Sequence, residues 1–358
     1  MRRVTSTYLV SAVAIAAAVA APLCMPVNIA TEIAIYGIFA LATYLLVGVA
    51  GLYSFGQAAF FGVGGYVAGY VFIHTNLPLA VGLLLAAAGS ALIALIVGAM
   101  SIKRTGIYFM MLTFAFNQMI YYLAYSWRDV TGGEDGLGGI RRPDLALPGI
   151  GTVDLSQHMH FYVLTAVLFV AAFAALYQLM HSPLGLILNA ARQNPRRTAS
   201  LGYSVYRAQL LAFVVAGAAS GVAGALFAML YRIMPIDAIS WTNSGTAVFM
   251  VIIGGMSSVF GPVIGAAVFI WLQGFFSLIW ARWPLLFGVF IILVVLFLKG
   301  GVMELFERTR RLISGRTRAQ PGPGREASTQ AGTQTVTQTS LGTETGTPTA
   351  AGKEGGAR

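Results

Sequence analysis

From Tyr8 to Lys299 the chain presents one long apolar run after another, separated by short polar joints. A helix needs about 20 apolar residues to cross ~30 Å of hydrocarbon, and it can do so because it satisfies its own backbone groups. The runs predict spans at 8–24, 29–49, 54–73, 79–101, 106–125, 160–180, 208–230, 244–256, 259–281 and 284–299. The glycine-rich stretches at 54–73 and 244–265 are candidates for broken or re-entrant segments, which gives a range of eight to ten crossings. The expected fold is an all-α integral membrane protein with some short or broken helices. Residues 1–27 supply an N-terminal span with a basic start, read as uncleaved rather than as a signal peptide.

Composition agrees with lipid as the main solvent: 57% of residues are hydrophobic and 9% are charged, where soluble domains carry about 25% charged residues. The net charge of +10 does not indicate nucleic acid, because the basic residues sit in the joints and the tail. With ten spans, Arg2 and Arg3, Lys103 and Arg104, Arg192 to Arg207, and Lys299 to Arg318 all fall on one side. The positive-inside rule makes that side cytoplasmic and puts both termini there. Residues 126–159 then face outward, with Asp129, Glu134, Asp135, Asp144 and Asp154 beside three arginines. The tail at 315–358 is built of Gly, Pro, Thr, Gln, Ser and Ala, cannot bury enough apolar surface to offset its chain entropy, and is expected to be disordered.

The joint at 181–207 is polar and basic, and it carries helix punctuation twice. Ser182-Pro183 and Asn194-Pro195 each pair an N-cap residue with a first-turn proline, and Gly202 suits a helix stop. Two short helices on the cytoplasmic surface are expected. No Asp or Glu occurs between Asp154 and Asp237, so Arg192, Arg196, Arg197 and Arg207 offer uncompensated charge to anionic lipid or to an acidic partner. The doubly capped form favours docking, since a tether between spans needs no such structure.

A second constellation runs from Gly51 to Tyr66. Tyr53, Ser54, Gln57 and Phe61 stand among glycines in an apolar setting, as either the lining of a substrate path or a site of close helix packing. Gly56–Gly62 and Gly255–Gly261 share the pattern Gly-x-small-small-x-Phe-Gly, an internal repeat or a coincidence of composition. Catalytic patterns are missing: no Walker loop, His-Glu-x-x-His or nucleophile elbow occurs, so neither catalytic residues nor metal ligands are assigned. Thr131–Leu137 reads as a surface turn with too few acidic residues for an EF-hand, and His158 and His160 read as interfacial. Glu32 is the one acidic residue in the predicted spans, near an end.

Several stretches resemble the permease subunits of branched-chain amino acid ABC transporters. Gly51-Leu52-Tyr53-Ser54-Phe55-Gly56-Gln57 through Gly62 is similar to that family's first signature, and Gly106-Ile107-Tyr108-Phe109 with Thr113-Phe114-Ala115-Phe116 to its second. Ser182-Pro183-Leu184-Gly185 opens a segment like its cytoplasmic coupling loop, and Gly261-Pro262-Val263-Ile264-Gly265-Ala266 completes a likeness over about 28–300. The resemblance implies a substrate path that includes Tyr53, Ser54, Gln57, Phe61, Tyr108 and Thr113. It implies a coupling loop at 182–207 with Ser182, Pro183, Gly185, Arg192, Asn194, Arg196, Arg197 and Gly202. It further implies a bacterial inner-membrane location, a second permease subunit, two cytoplasmic ATP-binding subunits and a periplasmic substrate-binding protein. No cofactor is expected on this chain, ATP being used by the partners. Two departures stand out: Leu186 replaces a frequent Arg, and Gln193-Asn194-Pro195 replaces commonly acidic positions. The implied cargo is a branched-chain or related amino acid, with urea or short amides as alternatives in the same class. An ion-coupled carrier would place ionisable residues at mid-membrane, where this chain has almost none.

Overall fold

The computed structural model describes residues 22, 25–75, 77–143, 145–147, 151–256, 258–280 and 282–297. The predicted span at 8–24, apart from Pro22, and the tail at 315–358 lie outside the described residues. The backbone divides into two units, Met1–Arg308 and Thr309–Arg358, and everything below concerns the first.

Apolar periodicity becomes helix nearly throughout. The helices are α1 (Val27–Tyr44), α2 (Gln57–His74), α3 (Leu79–Ser101), α4 (Ile107–Ser126), α5 (His158–His181), α6 (Pro183–Gln193), α7 (Pro195–Ser200), α8 (Val205–Tyr231), α9 (Trp241–Gly254), α10 (Gly261–Ile279) and α11 (Trp283–Phe297). Among the described residues, six are long and apolar enough to cross a bilayer: α1 with its extension to Ala50, α3, α4, α5, α8 and α10. The chain is a multi-pass membrane protein. The glycine-rich run at 54–73 forms the unbroken α2, whereas the run at 244–265 does break, between α9 and α10. The two similar heptads therefore differ in conformation: Gln57–Gly62 is helical, while Gly255 and Phe260 lie in that break.

Helix α8 packs against α2 and α3, and α1 packs against α5, α8 and α10. Close approach rather than bulk holds the first contact. A side chain on Gly224 would fall on the Phe61 carbonyl, and one on Gly64 would fall on the Gly221 backbone. Small residues permit this spacing where lipid supplies no hydrophobic drive for helices to associate. Aromatic rings fill the wider gaps, with Phe61 4.8 Å from Phe39 and 5.4 Å from Phe227 between ring centroids. On the outside, α3 exposes Leu84, Leu92 and Ile96, and α10 and α11 expose Leu278, Leu285 and Ile292, as lipid-facing surfaces require.

Contacts between helix ends sort the joints into two faces. On one, Tyr206 donates to the Ala99 carbonyl at 3.2 Å and α6 meets the end of α1. On the other, Leu137–Gly138 pairs antiparallel with Ile233–Met234, and Arg142 caps the end of α8 through the Met229 and Leu230 carbonyls, both at 2.8 Å. Thr131–Leu137 is a compact turn, with positive φ at Gly132, Gly133 and Gly136. His160 closes the same face through the Asp154 carbonyl at 2.8 Å, and Glu32 accepts a hydrogen bond from Tyr231.

Candidate functional site

The first site is the passage from α1 into α2. Helix α1 ends in a π-helical turn, Leu45–Ala50, and stops at Gly51, whose φ of 71° is left-handed and unstrained only for glycine. A non-helical segment then leads to Gln57. Ser54 accepts from the Gly56 amide at 3.1 Å, Thr113 of α4 accepts from the Phe55 amide at 3.3 Å, and Ser244 of α9 accepts from the Ala58 amide at 2.9 Å. These side chains take up backbone donors that neither lipid nor the incoming helix can satisfy.

The next layer is also polar and enclosed. Ser220 donates to Gln57 Oε1 at 2.9 Å, Ser90 donates to the Phe60 carbonyl at 2.8 Å, and Asn117 donates to the Ile239 carbonyl at 2.9 Å. Gln57 Nε2 and Asn117 Oδ1 remain buried without a partner. Sequence reasoning missed Ser90, Asn117, Ser220 and Ser244; at Ser90 and Ser220 the available signal was a lone polar residue inside an apolar helix, which needs a bonding partner away from water.

The six residues expected on a substrate path separate into two groups. Tyr53 and Tyr108 are open, at 42% and 76% exposure, while Phe61, Gln57 and Thr113 are at 0% and Ser54 at 1%. Phe61 stands in the aromatic core, so its place here is packing rather than a path wall. Gln57, Ser54 and Thr113 hold the α1–α2 passage together. Tyr108 belongs to a longer face: Met111, Phe114, Met119 and Tyr122 of α4 are exposed with it, and Trp241 lies edge-on to Phe114 at 6.0 Å. A groove of about 540 Å³ runs along it, lined by Arg104, Tyr108, Met111, Leu112 and Ala115. Helix α4 is the least apolar of the six long spans, and hydroxyls interrupt its exposed face, unlike the Leu and Ile surface of α3.

The second site is the α6–α7 pair. Asn194 is a true N-cap, accepting from the Arg197 amide at 3.0 Å. Ser182 stands at the cap position of α6, but its hydroxyl turns back to the Leu179 carbonyl at 2.6 Å, so the expected side-chain cap does not form. Pro183 holds the first turn of α6, and Gly202, at φ 86°, follows α7 in the left-handed region. Gly185 sits on the Met180 backbone, where a side chain has no room, and Leu188 and Ala191 bury the inner face of α6. The arginines divide. All four are exposed by area, but the Arg192 guanidinium turns to α1 and donates to the Gly48 carbonyl in the π-helical turn. Leu186 and Leu201, outside the spans, are 59% and 72% exposed.

Residues 25–298 match the family described as branched-chain amino acid transport system / permease component. The chain belongs to that family. Among curated proteins, the high-affinity branched-chain amino acid transport system permease protein LivM of Salmonella typhimurium is 26% identical over 318 residues, 82% of this chain and 73% of its own length. The protein of the same name from Escherichia coli is 29% identical over 268 residues, 68% of this chain and 62% of its own. No solved structure gives a significant match. As a permease, the chain is a transport subunit.

Proposed function

We propose that this permease forms half of the membrane channel of an ATP-driven importer and conducts branched-chain or related amino acids inward across the bacterial inner membrane. The observation that carries the reading is the α6–α7 pair, a capped helical platform outside the spans that shows Arg196 and Arg197 beside the bare apolar side chains of Leu186 and Leu201. Exposed leucines next to uncompensated cations suit a protein partner, with an apolar centre and a charged rim. Two ATP-binding subunits are that partner class, and ATP is bound there rather than on this chain. The positive-inside rule places this face in the cytoplasm with both termini, and residues 126–159 outside, where a binding protein delivers cargo.

A second permease subunit covers the Tyr108–Trp241 face, and the cargo moves between the two subunits along it. Residues 28–300 form the transmembrane domain, 182–207 the coupling loop, and 315–358 a dispensable tail. The cargo assignment draws on the two LivM relatives, whose names specify branched-chain amino acids.

The test is reconstitution of this chain with its native second permease and ATPases in vesicles, with the binding protein supplied outside. Expected is uptake of leucine that requires ATP and is not displaced by urea. Uptake by this chain alone, without nucleotide, overturns the reading, and competition by urea replaces the amino acid with an amide cargo. Changing Arg196 and Arg197 together to Glu is expected to reduce co-purification of the ATPases; unchanged association removes the platform as their dock.

A further inference from the structure

We propose that Arg192 is a positioning residue that transmits movement of α6 to the π-helical turn Leu45–Ala50, and so to the Gly51–Gln57 passage, rather than a contact for the ATPases. The inference rests on the ATP-driven reading above and assigns the arginines of one loop to different tasks.

Three contacts made by neighbouring residues support it. The Arg192 guanidinium donates to the Gly48 carbonyl, inside the only π-helical turn among the described residues. Helix ends leave carbonyls without intrahelical partners, and π turns are rare and concentrate at functional sites. The stem of the same arginine lies over Gly51, where an added Cβ would stand 2.7 Å from Arg192 Cγ. One side chain of α6 therefore both binds the turn and rests on the residue that ends it. The third contact leads onward: the Tyr44 ring covers Gly48, and the Tyr44 hydroxyl donates to the Met256 carbonyl at 3.3 Å, in the break between α9 and α10.

Arg192, Gly48, Tyr44 and Met256 thus join α6 to both irregular stretches of the membrane core. No other polar side chain of α6 has a hydrogen bond into α1 among the described residues. Regular helices resist bending, so displacement of α6 acts where the i→i+4 ladder is already interrupted. The 51–57 segment then moves against Thr113, which holds its Phe55 amide, and pulls on the first turn of α2, where Ser244 holds the Ala58 amide.

The experiment uses the whole importer in vesicles and reads subunit co-purification, ATP hydrolysis and solute moved per ATP. R192Q is expected to leave the complex assembled and hydrolysing ATP while solute moved per ATP falls about tenfold, the size of an ordinary coupling between sites. R192K, which keeps one cationic donor in reach of Gly48, is expected to recover most of that loss. Full transport per ATP in R192Q overturns the proposal, as does loss of the ATPases from R192Q, which would make Arg192 a docking residue after all. If R192Q does not fold, Y44F decides: it keeps the ring over Gly48 and removes only the link to Met256, and unchanged transport per ATP overturns the onward half of the relay. Failure of the wild-type complex to take up solute with ATP defeats the functional reading itself, and is distinguishable because it appears without any substitution.

Discussion

Ser220 of α8 donates a hydrogen bond to Gln57 of α2 at 2.9 Å, and both side chains are sealed from solvent. Away from water Gln57 has no solvent to turn to, and its Nε2 is already without a partner. S220A is expected to cost about 1 kcal/mol of stability, as interhelical hydrogen bonds in membranes typically do. In a double-mutant cycle with Q57L, the second substitution should cost less in the S220A background. Unfolding of the purified chain in detergent measures it, and strictly additive losses would contradict the pairing.

The α2–α8 crossing leaves no space for a side chain at Gly224, where Cβ would enter the Phe61 carbonyl. G224V is expected to force the helices apart, with a loss of about 3 kcal/mol or more. G288V, at a position with nothing within 4 Å, should be silent by comparison. The yield of monodisperse protein after membrane extraction reports both.

The tyrosine-bearing face of α4 and the leucine face of α3 should meet different neighbours. A photo-crosslinking amino acid at position 108 is expected to capture the second permease subunit, and the same probe at Leu92 to capture lipid. Equal crosslinking of both positions to protein would remove the assignment of α4 as the subunit interface.

On the 126–159 face, the Ser156 hydroxyl and then the Ser156 amide, both at 2.7 Å, hold the Asp154 carboxyl below the usual carboxylate range. A lowered folded value means that the turn is stabilised above the ordinary aspartate pKa of ~3.9 and loses that contribution as pH falls through the lower folded value. S156A is expected to move the titration of Asp154 upward toward the ordinary value. Carboxyl-labelled NMR follows it directly, and an unmoved midpoint would show that the Ser156 hydroxyl is not the cause.

Much of this architecture is legible in the sequence because lipid enforces a simple rule of length and apolarity. The runs at 79–101, 160–180 and 208–230 become α3, α5 and α8 with ends shifted by a few residues. Asn194-Pro195 also reads correctly, since capping is a local matter between Asn194 and the Arg197 amide. Ser182 carries the same local signal but finds the Leu179 carbonyl nearer, which spacing alone does not reveal. Arg192 and Arg196 look alike in a basic loop, and only the position of α1 against α6 gives one of them a carbonyl to bind. Phe61 and Tyr108 are likewise both aromatics in glycine-marked motifs; whether each is enclosed or open depends on α8 and on what α4 lacks as a neighbour.

At about 1.5 Å per residue, the 14 residues of α9 rise about 21 Å, well short of the ~30 Å of hydrocarbon. At least one end must therefore sit below the headgroups; its entrance, Pro235–Ser240, is screened by α2 and α4, with Asn117 and Asn243 answering the carbonyls of Ile239 and Ala238. Such a helix behaves as a stopper seated in the bilayer rather than a post through it. Its depth is fixed by its neighbours and not by its own length, so whatever shifts those neighbours changes how deeply water reaches.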